Sequence, residues 1–127
     1  MIKVLKLIFH LSVFILIIVS LWPGNLIGYL LYGRQEILLE LFEKPLGISI
    51  NHFASYLWIS LLGFSLYYEN KNFKKLVFRL VFLSAILEFF HFIIPNRSFE
   101  IQDLISNIFG VMIAYLVIKI YLSFYKA

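Results

Sequence analysis

The chain has 127 residues, of which 62% are hydrophobic, 19% aromatic and 14% charged, and its formal net charge is +4. Soluble domains average about 45–50% apolar and about 25% charged residues, so this composition excludes an ordinary soluble domain and predicts surroundings that are largely lipid. There is no cysteine, which excludes disulfides, thiolate nucleophiles and cysteine-based metal sites, and the length favours a single domain, 1–127.

Four apolar stretches are long enough to cross a bilayer, which needs about 20 mostly apolar residues. They cover residues 5–22, 50–68, 76–94 and 104–121. Pro23 ends the first, a polar turn over 70–75 follows the second, and Pro95 ends the third. The first has a basic start like that of a signal peptide, but bulky Leu21 and Trp22 occupy the place of small cleavage residues. The sequence therefore predicts an all-α integral membrane protein with four transmembrane helices.

The segment 23–49, between the first two spans, is too long for a tight turn and too apolar for a free loop. Its charged residues recur with helical spacing and share one face, opposite an apolar face: Glu36, Glu40, Glu43 and Lys44. This pattern predicts an interfacial helix on the outer membrane surface. The charged face is either simply solvated or an acidic surface for a cationic ligand.

Basic residues are distributed unevenly between the two ends of the predicted spans. With the N-terminus inside, eight Lys and Arg residues lie on the cytoplasmic side and three on the outer side. Cytoplasmic loops carry the excess of basic residues, so we expect a multi-pass protein with both termini in the cytoplasm. A nucleic-acid partner is excluded, because this distribution leaves no basic groove.

Polar and ionisable side chains lie near the outer ends of three spans at helical spacing. Such groups are costly in a bilayer and normally face protein or a wet cavity. They form three stripes: His52 and Tyr56; Ser84, Glu88 and His91; and Asp103, Asn107, Gly110 and Ala114. Together with Arg97 on the loop above, the stripes predict one outward-facing polar pocket.

Several of these residues also have a purely structural explanation. Gly110 and Ala114 form a small-xxx-small face for close helix packing. Asp103 favours the N-terminus of its helix, and Arg97 is expected at the level of the lipid headgroups. Glu88 is the exception, since a carboxylate inside a span must be paired, hydrated or protonated.

The order of these residues resembles the pattern of the VanZ-like family of small bacterial membrane proteins. The similarity covers residues 52–114 and consists of His52-Phe-x-x-Tyr56, Glu88-x-x-His91-x-x-x-Pro95-x-Arg97 and Asp103-x-x-x-Asn107-x-x-Gly110-x-x-x-Ala114. His91 replaces the usual glutamine of the family, and Ala114 replaces its last glycine. The resemblance implies a four-helix protein of the bacterial cytoplasmic membrane, with a relative that gives low-level resistance to the lipoglycopeptide antibiotic teicoplanin.

Three classes of function remain open. The first, which we favour, is a non-enzymatic cell-envelope protein that binds a lipid headgroup, a lipid-linked glycan or a lipoglycopeptide. Its ligand-binding residues would be His52, Tyr56, Glu88, His91, Arg97, Asp103 and Asn107. The second is a membrane-embedded hydrolase or transferase acting on a lipid-linked phosphate, with Glu88 and His91 as catalytic candidates. The sequence has no phosphatase-type Lys/Arg cluster, no Gly-x-Ser-x-Gly and no His-Glu-x-x-His motif that would support it. The third is a structural subunit of a membrane complex.

The sequence predicts neither a metal nor a cofactor. A zinc site built from His52, Glu88, His91 and Asp103 is chemically possible, but these residues have no local spacing motif typical of such a site. Membrane lipids are the expected partners, together with a lipid-linked envelope precursor or a lipoglycopeptide. An oligomer or a partner subunit is left open.

Overall fold

The computed structural model describes residues 1–34 and 47–125. Within them the chain forms five α-helices and no strands: α1 (Ile2–Leu21), α2 (Leu26–Tyr32), α3 (Ile50–Tyr67), α4 (Phe73–Phe90) and α5 (Ile101–Tyr125). The four long helices overlap the four apolar stretches of the sequence. The end of α4 differs, because this helix covers Phe73–Phe90 where the sequence predicts 76–94, so the chain leaves the helix and turns at 91–96 before Pro95 can end it. The prediction of an all-α protein is therefore confirmed.

Two of the helices are long and apolar enough to cross a membrane. These are α1, with 20 residues and a mean hydropathy of 2.6, and α5, with 25 residues and a mean hydropathy of 1.9. Helices α3 and α4 have 18 residues each and contain more polar residues, including Lys74, Lys75, Arg79 and Glu88 in α4. By length and composition, the structure thus supports two membrane-spanning helices out of the four that the sequence predicts.

The chain between α1 and α3 begins with the short helix α2. Asn25 caps its start, because the Asn25 side-chain oxygen accepts a hydrogen bond from the Gly28 backbone N–H at 3.0 Å. Gly33 ends it with a φ of 66° and donates its N–H to the Tyr29 carbonyl. The predicted amphipathic face of Glu36, Glu40, Glu43 and Lys44 lies outside the described residues.

Helices α3 and α5 approach each other most closely at Gly110. A Cβ atom at this position would lie 2.7 Å from the Phe53 carbonyl oxygen and 2.9 Å from the Leu57 backbone nitrogen. Only a glycine fits this distance without a shift of the backbone. Ala114, one turn further along α5, is fully buried in the core, so small residues allow the two helices to pack backbone against backbone.

Helix α1 lies against this pair but keeps most of its surface exposed. Its only buried residue is Phe9. The Phe9 ring packs against Gly63 of α3, where a Cβ atom would lie only 2.7 Å from the ring. Large apolar side chains such as Phe14 and Ile15 are more than half exposed, at 59% and 57%. Such an apolar surface is unusual for a soluble monomer and typical of a helix that faces lipid or another protein.

We expect the substitution Gly110→Ala to lower the thermal stability of the detergent-solubilised protein. The new methyl group would meet backbone atoms of α3, and overpacking of this kind costs about 1–3 kcal/mol, more than the gain in helix propensity. Gly63→Ala is the matched control, because the atoms nearest to its methyl group would be those of one side-chain ring, Phe9, and not backbone atoms. An equal melting temperature for both variants would contradict this account of the α3–α5 contact.

Candidate functional site

A group of polar side chains lies where α3 and α5 begin and α4 ends. We call it the polar cluster; it consists of His52, Glu88, His91, Asp103 and Asn107. The contacts described below join His52 to Asp103 and Asn107, and separately join Glu88 to His91 and His91 to the end of α1. The two groups lie next to each other, because ligand atoms of His52, Glu88 and Asp103 are within 4.8 Å of one another. The structure therefore brings together the residues that the sequence assigns to one pocket.

His52 connects α3 to α5. Its Nδ1 atom lies 3.1 Å from the side-chain oxygen of Asn107, and its Nε2 atom lies 3.4 Å from a carboxylate oxygen of Asp103. Asp103 and Asn107 are one helical turn apart, so both reach the same imidazole ring. The side chains of His52 and Asp103 are 26% and 14% exposed, and they form the accessible edge of the polar cluster.

Glu88 and His91 form the buried part of the cluster, with 1% and 3% exposure. Glu88 Oε1 lies 3.1 Å from His91 Nδ1 and accepts a hydrogen bond from the backbone N–H of Glu100 at 3.1 Å. The other ring nitrogen of His91 lies 3.1 Å from the carbonyl oxygen of Ser20 at the end of α1. One carboxylate thus joins α4 to the start of α5, and through His91 to α1.

The hydrogen-bond partners of His91 determine the hydrogen on Nε2 and leave two positions for the one next to Nδ1. A backbone carbonyl only accepts hydrogen bonds, so Nε2 of His91 carries the hydrogen that points to Ser20. A second hydrogen lies between His91 Nδ1 and Glu88 Oε1, either on an imidazolium facing a carboxylate or on a protonated Glu88 facing a neutral ring. The pair is neutral overall in both cases, which lowers the cost of burying it.

Arg97 lies beside the polar cluster but is turned towards α1. Its guanidinium donates hydrogen bonds to the carbonyl oxygens of Val19, at 2.8 Å, and Trp22, at 3.2 Å. A cation at this place satisfies carbonyl groups that the end of a helix leaves without partners. The sequence places Arg97 in the headgroup region above the pocket; in the structure it is half-buried, because α1 ends directly beside it.

Burial and the nearby carboxylates act in opposite directions on Arg97. Burial lowers the pKa of the Arg97 guanidinium from its ordinary value, and the negative charges of Glu88 and Asp103 raise it. Burial is the larger effect, but an arginine remains protonated throughout the physiological pH range. A permanent positive charge therefore lies next to the acidic residues of the cluster.

Tyr56 and Ser60 extend the polar surface of α3 into the bundle. The Tyr56 side chain is 2% exposed, and its hydroxyl has no hydrogen-bond partner in the described part of the chain. Ser60, one turn further on, is fully buried, and its hydroxyl likewise has no partner there. The sequence analysis did not single out Ser60, although its spacing of four residues from Tyr56 continues the His52–Tyr56 stripe.

A further contact that the sequence analysis did not predict fixes the start of α3. The backbone N–H of Ser49 donates to the Ser106 hydroxyl at 2.9 Å, and this hydroxyl donates to the Gln102 carbonyl at 2.6 Å. Ser106 is adjacent to Asn107 and is fully buried. No sequence pattern indicates this contact, because it joins the Ser106 hydroxyl to a backbone group 57 residues away.

The polar cluster has two chemical capacities. The Glu88–His91 pair can hold and move a proton between two buried atoms. Separately, His52, Glu88 and Asp103 each offer one ligand atom, and these three atoms lie within 4.8 Å of one another. The exposed edge at His52 and Asp103 makes the second group accessible from outside the bundle.

A family model described as VanZ/LLP1 matches residues 6–122. The matched region contains α3, α4, the whole polar cluster and almost all of α1 and α5. No curated protein and no solved structure matches the chain significantly.

We expect Glu88→Gln to preserve the fold and Glu88→Leu to destabilise it. Glutamine keeps an oxygen that accepts from the Glu100 N–H, and leucine leaves both this N–H and the Nδ1 atom of His91 without a buried partner. The expected loss for the leucine variant is about 2–5 kcal/mol in the free energy of unfolding. Thermal unfolding in detergent measures both variants against the parent, and a leucine variant as stable as the glutamine variant would show that the network is dispensable for folding.

Proposed function

The chain belongs to the VanZ/LLP1 family, and from this membership we propose that it is a membrane protein of the bacterial cell envelope. In this proposal the polar cluster binds the polar headgroup of an amphipathic molecule at the outer face of the cytoplasmic membrane. The ligand is a lipid headgroup, a lipid-linked glycan or a lipoglycopeptide. These three share hydroxyl, amide or phosphate groups attached to a hydrophobic tail that lipid can accommodate.

The proposed topology has α1, α3, α4 and α5 crossing the membrane, with both termini in the cytoplasm. Large apolar side chains on α4 point away from the bundle, among them Phe78 and Phe82, which are 67% and 55% exposed. A bilayer would cover these faces. An 18-residue helix is about 27 Å long, close to the thickness of the hydrocarbon core, and terminal lysines can extend to the interface.

The observation that carries the binding proposal is the exposed edge of an otherwise buried polar network. His52 and Asp103 are partly accessible, whereas Glu88, His91 and Asn107 are at most 3% exposed. Ionisable groups within an apolar bundle cost free energy, and replacement of a whole buried network by apolar residues of similar volume is often neutral or stabilising, unlike the removal of one partner. A network that is maintained at this cost and opens to one side favours a binding role over simple helix locking.

A second candidate function is hydrolysis of a lipid-linked phosphate. The observation that favours it is the convergence of His52, Glu88 and Asp103 within 4.8 Å, next to the His91–Glu88 pair that can transfer a proton. In this case the headgroup that binds is also the substrate. A turnover assay with a polyprenyl diphosphate, read as phosphate release, separates the two functions.

Single cysteines introduced at Ser98 and Asn72 test the proposed topology. Both positions are exposed, and the parent chain has no cysteine that would interfere. We expect a membrane-impermeant maleimide to label Ser98→Cys in intact cells and Asn72→Cys only after lysis. Labelling of both positions from the same side would contradict a membrane crossing by α4, and reversed labelling would place the polar cluster in the cytoplasm.

The binding proposal predicts that substitutions at the exposed edge weaken ligand binding. The parent protein, in nanodiscs of neutral lipid, is titrated with three probes: phosphatidylglycerol, a polyprenyl diphosphate-linked glycan and teicoplanin. We expect at least one of the three to bind. We also expect His52→Gln and Asp103→Asn to weaken that binding about 10-fold, the size of one charge-assisted hydrogen bond.

His10→Gln is the matched control for this experiment. His10 is an exposed histidine of α1, and its Nδ1 atom lies 2.7 Å from the Lys6 carbonyl oxygen of its own helix, so its substitution should leave binding unchanged. Binding of none of the three probes, or equal binding by all the variants, would contradict the proposal.

A further inference from the structure

We propose that His52, Glu88 and Asp103 form a binding site for one divalent transition-metal ion of the Zn²⁺ or Mn²⁺ type. This inference goes beyond headgroup binding and does not depend on it. It also replaces the sequence-based expectation that the chain has no metal site. The three side chains come from α3, α4 and α5, so only the folded bundle assembles the site.

The distances match the ligand set of such an ion. One ligand atom from each of the three residues lies within 4.8 Å of the other two. His52 Nε2 and Asp103 Oδ2 are already 3.4 Å apart. Two ligands on one tetrahedral ion, each bonded at about 2.1 Å, are about 3.4 Å apart, so this pair needs little movement to bind a common ion. Glu88 would complete the set by a movement of its carboxylate towards this pair.

The hydrogen bond of His52 to Asn107 orients the imidazole ring so that its Nε2 atom is available to a metal ion. The atom of Asn107 that faces His52 Nδ1 is its side-chain oxygen, at 3.1 Å, so Nδ1 carries the hydrogen. In the neutral ring, the lone pair of Nε2 then faces the Asp103 carboxylate, and two acceptors at 3.4 Å repel each other unless a proton on Nε2 or a metal ion lies between them. Metal-bound histidines commonly donate their other N–H to an oxygen in this way.

Glu88 is oriented in a comparable manner. Its Oε1 atom is held by His91 and by the Glu100 backbone N–H, and the second carboxylate oxygen takes part in neither of these bonds. Hydrogen bonds of this kind fix the direction of a carboxylate that ligates a metal. Asp103 supplies a negative charge to a divalent ion, and Glu88, whose charge is already compensated by the hydrogen it shares with His91, adds an oxygen ligand. The two Arg97 bonds described above are directed to α1.

Tyr56 provides an independent observation that points to a ligand in the site. Its hydroxyl is buried without a hydrogen-bond partner in the described part of the chain, which costs free energy. Tyr56 lies one turn from His52 on α3, on the same face of the helix. Three protein ligands leave a coordination position for water, and a metal-bound water would give the Tyr56 hydroxyl its missing partner.

Metal stoichiometry and cobalt spectroscopy test the site directly. The full chain is purified in detergent without added lipid, stripped with a chelator, and titrated with Zn²⁺, Mn²⁺ or Co²⁺. We expect one ion per chain by elemental analysis, a rise in melting temperature of about 5 °C at saturation, and visible absorption from bound Co²⁺. Less than about a tenth of an equivalent of each of the three ions on the parent protein would overturn the proposal whatever the variants show.

Substitutions of the proposed ligand residues test where the ion binds. His52→Gln and Asp103→Asn, which are close in volume to the parent residues, should weaken binding at least 100-fold. Asn107→Ala, which only removes the orienting bond, should weaken it about 10–100-fold. His10→Gln is the control and should bind like the parent. Parent-like affinity in both ligand variants would place the ion elsewhere and overturn the proposal. Because no lipid ligand is present, these outcomes are independent of whether the headgroup proposal holds.

Discussion

The burial of the Glu88 carboxyl group is the constraint on which the arrangement of the polar end of the bundle depends. A carboxyl group in an apolar helix bundle needs donors, a counter-charge or a proton. Here the His91 ring and the Glu100 backbone N–H supply the donors. The same His91 ring reaches the Ser20 carbonyl. The hydrogen bonds that compensate the burial of Glu88 therefore also fix the end of α1 relative to α4 and α5.

A second constraint, the close contact of α3 and α5, decides which side chains meet at the exposed edge. Gly110 allows the two backbones to approach to a distance at which no Cβ atom fits. This contact lies two turns from Asp103, and it holds His52 within reach of both Asp103 and Asn107. The polar contacts at the edge thus depend on an apolar packing contact deeper in the bundle.

The polar cluster divides into a closed part and an open part. Glu88, His91 and the Arg97 bonds to α1 are enclosed, and they hold helix ends together. His52 and Asp103 are partly exposed and have the chemistry to meet a headgroup or a metal ion. Glu88 belongs to both parts, because one of its oxygens is fixed by the enclosed network and its carboxylate lies within 4.8 Å of the ligand atoms at the edge. A bound ligand would therefore act on the same group that organises the bundle.

The sequence by itself determined the four long helices and the polar residues that share a face of each. The tertiary structure decided which groups these residues contact on other helices. Apolar length and the positions of Pro23 and Pro95 predict the four long helices, and helical spacing predicts that Glu88 shares a face with His91 and Asp103 with Asn107. These are local properties, set by one helix at a time. Arg97 is different: its bonds go to backbone carbonyls of α1 more than 70 residues away. Every residue has a backbone carbonyl, so the sequence contains no signal for the carbonyl that Arg97 or His91 will contact. Only the packing of the helices determines which carbonyl lies within reach.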